Sequence, residues 1–172
     1  MMTFDEIYFE YQKMVFNLAL QYVQNIEDAE DIMQEVFVKV YDKLNSFQQQ
    51  SNIKTWIYRI AINQSLDFIK AKKSQKRGYF TSLFSLNDDK FKFEPVVFNH
   101  PGIELEQKEA YQKIFEAINQ LSPNQKTAII LLKIEDKSQA EAAEIMNLNE
   151  KALESLFHRA KKKLEILLNQ KG

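Results

Sequence analysis

The chain has 172 residues, 45% hydrophobic and 27% charged, which is ordinary for a soluble folded protein and enough for one domain or two small ones. Its net charge of −1 argues against a protein that coats nucleic acid nonspecifically, and the absence of cysteine excludes a disulfide framework and a thiolate metal site and favours the cytoplasm. No apolar run approaches a membrane span and the opening MMTFDEIYF is acidic, so neither membrane insertion nor a signal peptide is expected.

Glycine and proline number three each, and the long stretches between them have helical periodicity, so the expected fold is all-α. The first helix is expected over about Phe4 to Gln24. The second is the clearest in the chain. Ala29, Ile32, Met33, Val36, Phe37, Val40, Tyr41 and Leu44 trace an unbroken i, i+3, i+4, i+7 stripe. Glu27, Asp28, Glu30 and Asp31 at its start suit the helix dipole. Asp28, Asp31, Gln34 and Glu35 lie away from the centre of the stripe, either as solvated charges or as a face for a basic partner. A loop rich in Gln, Ser and Asn, Asn45 to Lys54, leads to a third helix, KTWIYRIAINQSLDFIKAKK. There Ile53, Trp56, Ile57, Ile60 and Ala61 form one apolar side. Tyr58, Arg59, Asn63 and Asp67 interleave aromatic and polar groups ahead of the basic run Lys70, Lys72, Lys73, Lys76 and Arg77. Rings beside cations suit single-stranded nucleic acid, because bases stack on the rings while cations hold phosphates. For Trp56 itself, the core-anchor reading is the favoured one.

Gly78, Pro95, Pro101 and Gly102 bracket the one stretch without strong helical period, expected to link two helical domains. Within it KFKFE alternates in the manner of a short strand, and six aromatics are more than a flexible tether needs. Beyond it, Tyr111, Ile114, Phe115, Ile118 and Leu121 form a helical stripe, and Ser122-Pro123-Asn124-Gln125 supplies an N-cap, a proline at the first helical position and a capping-box glutamine. Ser138 and Glu141 make a second capping box. The helix that follows has paired alanines, Ala142 and Ala143, which allow close approach. It should stop at Asn147, which tolerates left-handed backbone. Leu148 can plug the corner and Asn149 can cap the last helix. In that helix Leu153, Leu156, Phe157, Ala160 and Leu164 should face inward, leaving Lys151, Ser155, His158, Arg159 and Lys162 outside. A helix-turn-helix with a basic outer face places a helix in the DNA major groove; a plain helical hairpin with a solvated lysine face would look similar.

Four segments together resemble the sigma factors of bacterial RNA polymerase, in the extracytoplasmic-function (ECF) group. DAEDIMQEVFVKVY (28–41) is similar to the family's polymerase-clamp-binding helix. TWIYRIAINQSLDFIK (55–70) resembles its promoter-melting helix. LSPNQKTAIILL (121–132) and ALESLFHRAKKKL (152–164) resemble the halves of its minus-thirty-five-binding domain. The order, the chain length and the intervening linker match as well. Asn147 and the Asp136-Lys137 pair stand where the family usually carries glycine, and Glu154 and Leu156 where bases are frequent.

The resemblance implies three segments: a region 2-like domain over 1–77, a linker over 78–102 and a region 4-like domain over 103–172. It implies core-polymerase contacts at Asp28, Asp31, Gln34, Glu35, Phe37 and Val38. It implies minus-ten contacts at Phe47, Gln48, Ser51, Asn52, Trp56, Tyr58, Arg59, Asn63, Asp67 and Lys70, and minus-thirty-five contacts at Lys151, Ser155, His158, Arg159 and Lys162. The implied partners are RNA polymerase core and promoter DNA, both duplex and melted non-template strand, with an anti-sigma factor as a further candidate. No enzymatic activity, cofactor or metal is expected: His100 and His158 are isolated and no Gly-rich phosphate loop is present. A stand-alone helix-turn-helix regulator and a helical adaptor without a DNA role are the rival readings.

Overall fold

A computed structural model describes residues 2–47, 51–82 and 105–170, with side chains described over 2–47, 51–75 and 109–170. The chain divides into two compact units, Met1–Val96 and Val97–Gly172. The described residues are helical throughout, apart from turns and caps.

The first unit is built from α1 (Phe4–Val23), α2 (Ile26–Leu44) and α3 (Ile53–Ser82), each packed against the other two. Helix α1 opens on a capping box: the Glu6 N–H donates to the Thr3 hydroxyl at 3.3 Å, and the Thr3 N–H donates to the Glu6 carboxylate at 2.7 Å. It ends at Gln24, which adopts left-handed backbone at φ 48°. Asn25 then caps α2, its side-chain oxygen accepting from the Asp28 N–H at 2.9 Å. Two α-helices and their caps are thereby joined through a two-residue corner. Ile7, Val15, Leu18 and Tyr22 of α1 meet Ile32, Val36 and Val40 of α2 and Ile57, Tyr58, Ala61 and Ile62 of α3 in the core. Each large aliphatic side chain buried there contributes about 1.5–3 kcal/mol. Ser65 is fully buried beside them, and its hydroxyl donates to the Ala61 carbonyl at 2.7 Å.

Helix α3 runs through Gly78 to Ser82, so the first five residues of the expected linker are helical. A single glycine costs a helix only about 1 kcal/mol, too little to end one by itself. The KFKFE segment and the rest of the expected linker lie outside the described residues.

The second unit contains α4 (Leu105–Ile118), α5 (Pro123–Ile129), α6 (Gln139–Met146) and α7 (Glu150–Asn169). Both expected capping boxes form, at Ser122 with Gln125 and at Ser138 with Glu141. Past α5 the backbone widens into a π-helical turn, Ile130–Ile134, where the Glu135 N–H reaches the Ile130 carbonyl at 2.8 Å. Asp136 then takes left-handed backbone at φ 50° and the chain turns into α6. Ile118, Leu121, Ile129 and Ala160 form a buried cluster, with Phe115, Phe157, Leu164 and Leu167 packed on its rim. Ala142 and Ala143 are buried where α6 meets α7, as their small size allows.

Candidate nucleic-acid and partner interfaces

On α2, Asp31, Gln34, Glu35 and Val38 are exposed, and their spacing puts them on one strip of the helix. Val38 is 56% exposed, an apolar group beside three polar ones. Phe37 departs from the expectation that it contacts a partner. It is only 4% exposed, and its ring lies edge-on to Phe4 and Tyr8, with centroids 6.4 and 4.7 Å away. One position further round the helix than Val38, it is turned into the unit. Asp28 is also engaged internally: its carboxylate pairs with the Lys72 ammonium of α3.

The loop before α3 brings Phe47, Ser51 and Asn52 together, and with Met2, Ile7, Leu44 and Ile53 they line a concavity of about 430 Å³. Gln48 lies outside the described residues. Asn52 caps the start of α3, its side-chain oxygen accepting from the Lys54 N–H at 2.9 Å. Phe47 lies on Trp56 with ring centroids 4.7 Å apart. From Trp56 the residues Arg59, Asn63, Asp67 and Lys70 follow at steps of three and four, so they form one strip along α3. Asn63, Asp67 and Lys70 are exposed, and Trp56 and Arg59 half-buried. Tyr58 corrects the sequence reading: at 2% exposure it is a core residue on the far side of the helix. Beside this strip, Gln64 accepts a hydrogen bond from the Lys39 ammonium of α2, which locks the two helices together.

In the second unit the helix-turn-helix is formed by α6 and α7. Asn147 has φ 54° and ψ 45°. The Leu148 N–H donates to Ala143 at 2.9 Å and the Asn147 N–H to Glu144 at 3.1 Å, closing the helix end in a Schellman arrangement. Leu148 itself is 37% exposed, so it covers the corner only in part. Asn149 caps α7 through the Ala152 N–H at 2.7 Å. Leu153 and Ala160 are buried, while Lys151, Ser155, His158, Arg159 and Lys162 are all exposed. The Phe157 ring carries two cations that sequence reasoning missed: the ammonium groups of Lys133 and Lys161 each lie 5.7 Å from its centroid. Lys161 stands four residues from Phe157 and was readable from spacing; Lys133 arrives from the π-helical turn and was not.

Among the described residues no cluster of His, Cys, Asp or Glu could hold a metal ion, and no helix is long and apolar enough to cross a membrane.

Residues 7–75 match the family description Sigma-70 region 2, and residues 111–164 match Sigma-70, region 4. The ECF RNA polymerase sigma factor SigM of Bacillus subtilis is 28% identical over 171 residues, spanning 98% of this chain and 97% of that protein. The ECF RNA polymerase sigma-E factor of Haemophilus influenzae is 29% identical over 95% of this chain and 86% of its own length. The fold matches that of the sigma factor RpoE from Bartonella quintana, solved with the anti-sigma factor NepR, at a TM-score of 0.65 and 23% identity over 96% of each chain. It also matches CnrH, solved with the cytosolic domain of CnrY, at a TM-score of 0.66 and 20% identity over 98% of this chain and 89% of that one. With region 2 and region 4 matched in order and relatives that align along almost the whole chain, the protein belongs to the sigma-70 family of RNA polymerase sigma factors, in the ECF group.

Proposed function

We propose that this sigma factor brings RNA polymerase core to a subset of promoters and assists their opening, with the work divided between its two units. The observation that carries this reading is the pairing of a region 2 match on a unit with an exposed polar α2 face and an aromatic-to-basic α3 strip, and a region 4 match on a unit with a basic, outward-facing α7. In this reading Asp31, Gln34, Glu35 and Val38 meet the polymerase. The Phe47–Asn52 loop, Trp56, Arg59, Asn63, Asp67 and Lys70 meet the minus-ten element as its non-template strand is exposed. Lys151, Ser155, His158, Arg159 and Lys162 meet the minus-thirty-five element. Asp28, Phe37 and Tyr58 support these surfaces from within.

The chain acts as a transcription initiation factor in the cytoplasm, and nucleotidyl transfer belongs to the polymerase core. Both solved relatives are complexes with a second protein, an anti-sigma factor in the case of RpoE. An anti-sigma factor is the further candidate partner of this chain, one that would cover the α2 or α7 surface assigned above. The test is to add the purified chain to sigma-free polymerase core and map the transcripts made from genomic DNA. Discrete start sites that appear only with the chain are expected. Tight duplex binding without core, and no new start sites with it, would favour a stand-alone regulator.

A further inference from the structure

The first two turns of α7 carry two acids, Glu150 at the helix start and Glu154 a turn later, beside a single base, Lys151. The first suits the helix dipole; the second lies beyond its reach. Glu154 is exposed, one residue before Ser155, three after Lys151 and four before His158. Side chains at those spacings are neighbours on a helix surface and opposite charges there ordinarily pair. Among the described residues, however, the Glu154 carboxylate forms no ion pair with either. It extends from the shoulder of the face that, on the reading above, enters the major groove.

An exposed carboxylate is costly at that place unless it finds a donor, because phosphates line both walls of the groove. An ionised Glu is an acceptor only. Guanine shows the major groove two acceptors and thymine an acceptor and a methyl group, so both repel it or leave it unpaired. The available donors are the cytosine N4 and adenine N6 amines. Adenine sets its N7 acceptor directly beside N6, against the second carboxylate oxygen, whereas cytosine presents its amine with no acceptor next to it. We propose that Glu154 is a specificity-determining residue that accepts from the N4 amine of one cytosine in the minus-thirty-five element. This rests on α7 being the reading helix. The acid thus excludes promoters rather than adding affinity: it admits cytosine at one position and weakens binding to every other base there.

The test compares holoenzymes, core plus full chain, carrying wild-type, Glu154→Ala or Glu154→Gln sigma on promoters with all four bases at each minus-thirty-five position. Wild type should prefer cytosine at one position. Glu154→Ala should remove that preference, narrowing the ratio over the other bases by roughly 10- to 100-fold, and should leave other positions unchanged. Glu154→Gln should shift the preference toward adenine, because an amide both donates and accepts and matches the adenine N6/N7 pair. An equal gain on all promoters in Glu154→Ala would show a merely repulsive surface charge and overturn the proposal. Ser155→Ala and Arg159→Ala in the same panel separate the two levels. If they change promoter use while the Glu154 variants do not, only this inference falls; if none has an effect, the assignment of α7 as the reading helix falls with it.

Discussion

Phe47 stacks on Trp56, their ring centroids 4.7 Å apart and their planes 32° from parallel. The two rings close the gap between the loop after α2 and the first turn of α3. On the proposed reading, the aromatic surface that would meet a melted strand is already assembled in the free chain. Trp56, half-buried, holds the loop through Phe47 and stands at the head of the polar strip Arg59, Asn63, Asp67 and Lys70.

Trp56→Ala should weaken promoter opening by about 1–3 kcal/mol, the usual worth of one stacked base, while minus-thirty-five duplex binding stays as it was. Trp56→Phe should recover most of the loss. The measurement is fluorescence of 2-aminopurine placed in the minus-ten non-template strand of a holoenzyme complex. Equal opening by the alanine variant would mean that the ring serves the fold alone.

Asp28 and the pair Asp31/Glu35 should behave differently although all three are acids of one helix. Asp28→Asn removes the partner of Lys72, whose side chain is 46% exposed, so the loss should stay below about 1 kcal/mol of stability. Its affinity for polymerase core should hardly change. Charge reversal of Asp31 and Glu35 together should abolish core binding and leave helical content intact. Core titrations with circular dichroism on the same samples distinguish the two cases, and wild-type affinity in the double reversal would sink the assignment of that face.

The caps were legible in sequence because they obey local rules. Ser122 with Gln125, Ser138 with Glu141, Asn147 and Asn149 each act within a few residues, and all adopt the expected roles. The Thr3–Glu6 box obeys the same local rule. The burial of Tyr58 is not legible locally, for a different reason. A single stripe through Ile53, Trp56, Ile57, Ile60 and Ala61 describes a helix packed on one side. Helix α3 packs against both α1 and α2, so its buried arc turns toward Tyr58, Ile62 and Ser65. The Asp28–Lys72 and Lys39–Gln64 links join residues far apart in the chain, and no periodicity reveals such a partner.

Asn147 should respond to substitution through its backbone. Asn147→Gly removes the Cβ from a left-handed position at φ 54° and should be neutral or stabilising, whereas Asn147→Ala should cost up to about 1–2 kcal/mol because it keeps the crowding Cβ and loses the short polar side chain that lets Asn adopt this backbone. Amide exchange across α6 and α7 in the full chain reads the effect. Asn147→Ala as protected as wild type would contradict the geometry.

Glu6 should titrate below the ordinary carboxylate range, chiefly through the bond it accepts from the Thr3 N–H and secondarily through the Thr3 hydroxyl. A lowered folded-state pKa means that the capping box stabilises the chain above the unfolded value, and that this contribution is lost as pH falls through the folded one. An NMR titration of Glu6 should show the depression in the wild type and a smaller one in Thr3→Ala, which keeps the main-chain bond only.

Ser155 and Lys162 should separate base reading from phosphate holding on α7. Both are exposed on the face opposite Leu153 and Ala160, but Ser155 lies in the second turn and Lys162 nearly two turns further on. Recognition helices present their early residues to base edges, so the later lysine falls against the backbone. Loss of one phosphate contact in Lys162→Ala should weaken all promoters about equally and lower the slope of log affinity against log salt by roughly 0.9. Loss of a base contact in Ser155→Ala should cost about 1–3 kcal/mol at one promoter position and leave the salt slope unchanged. Holoenzyme titrations on a minus-thirty-five mutant panel at several salt concentrations read both quantities at once. The order matters: a salt-slope change in Ser155→Ala with a base-specific loss in Lys162→Ala would mean that α7 enters the groove by its C-terminal half, and the base contacts would then have to be reassigned toward Lys162.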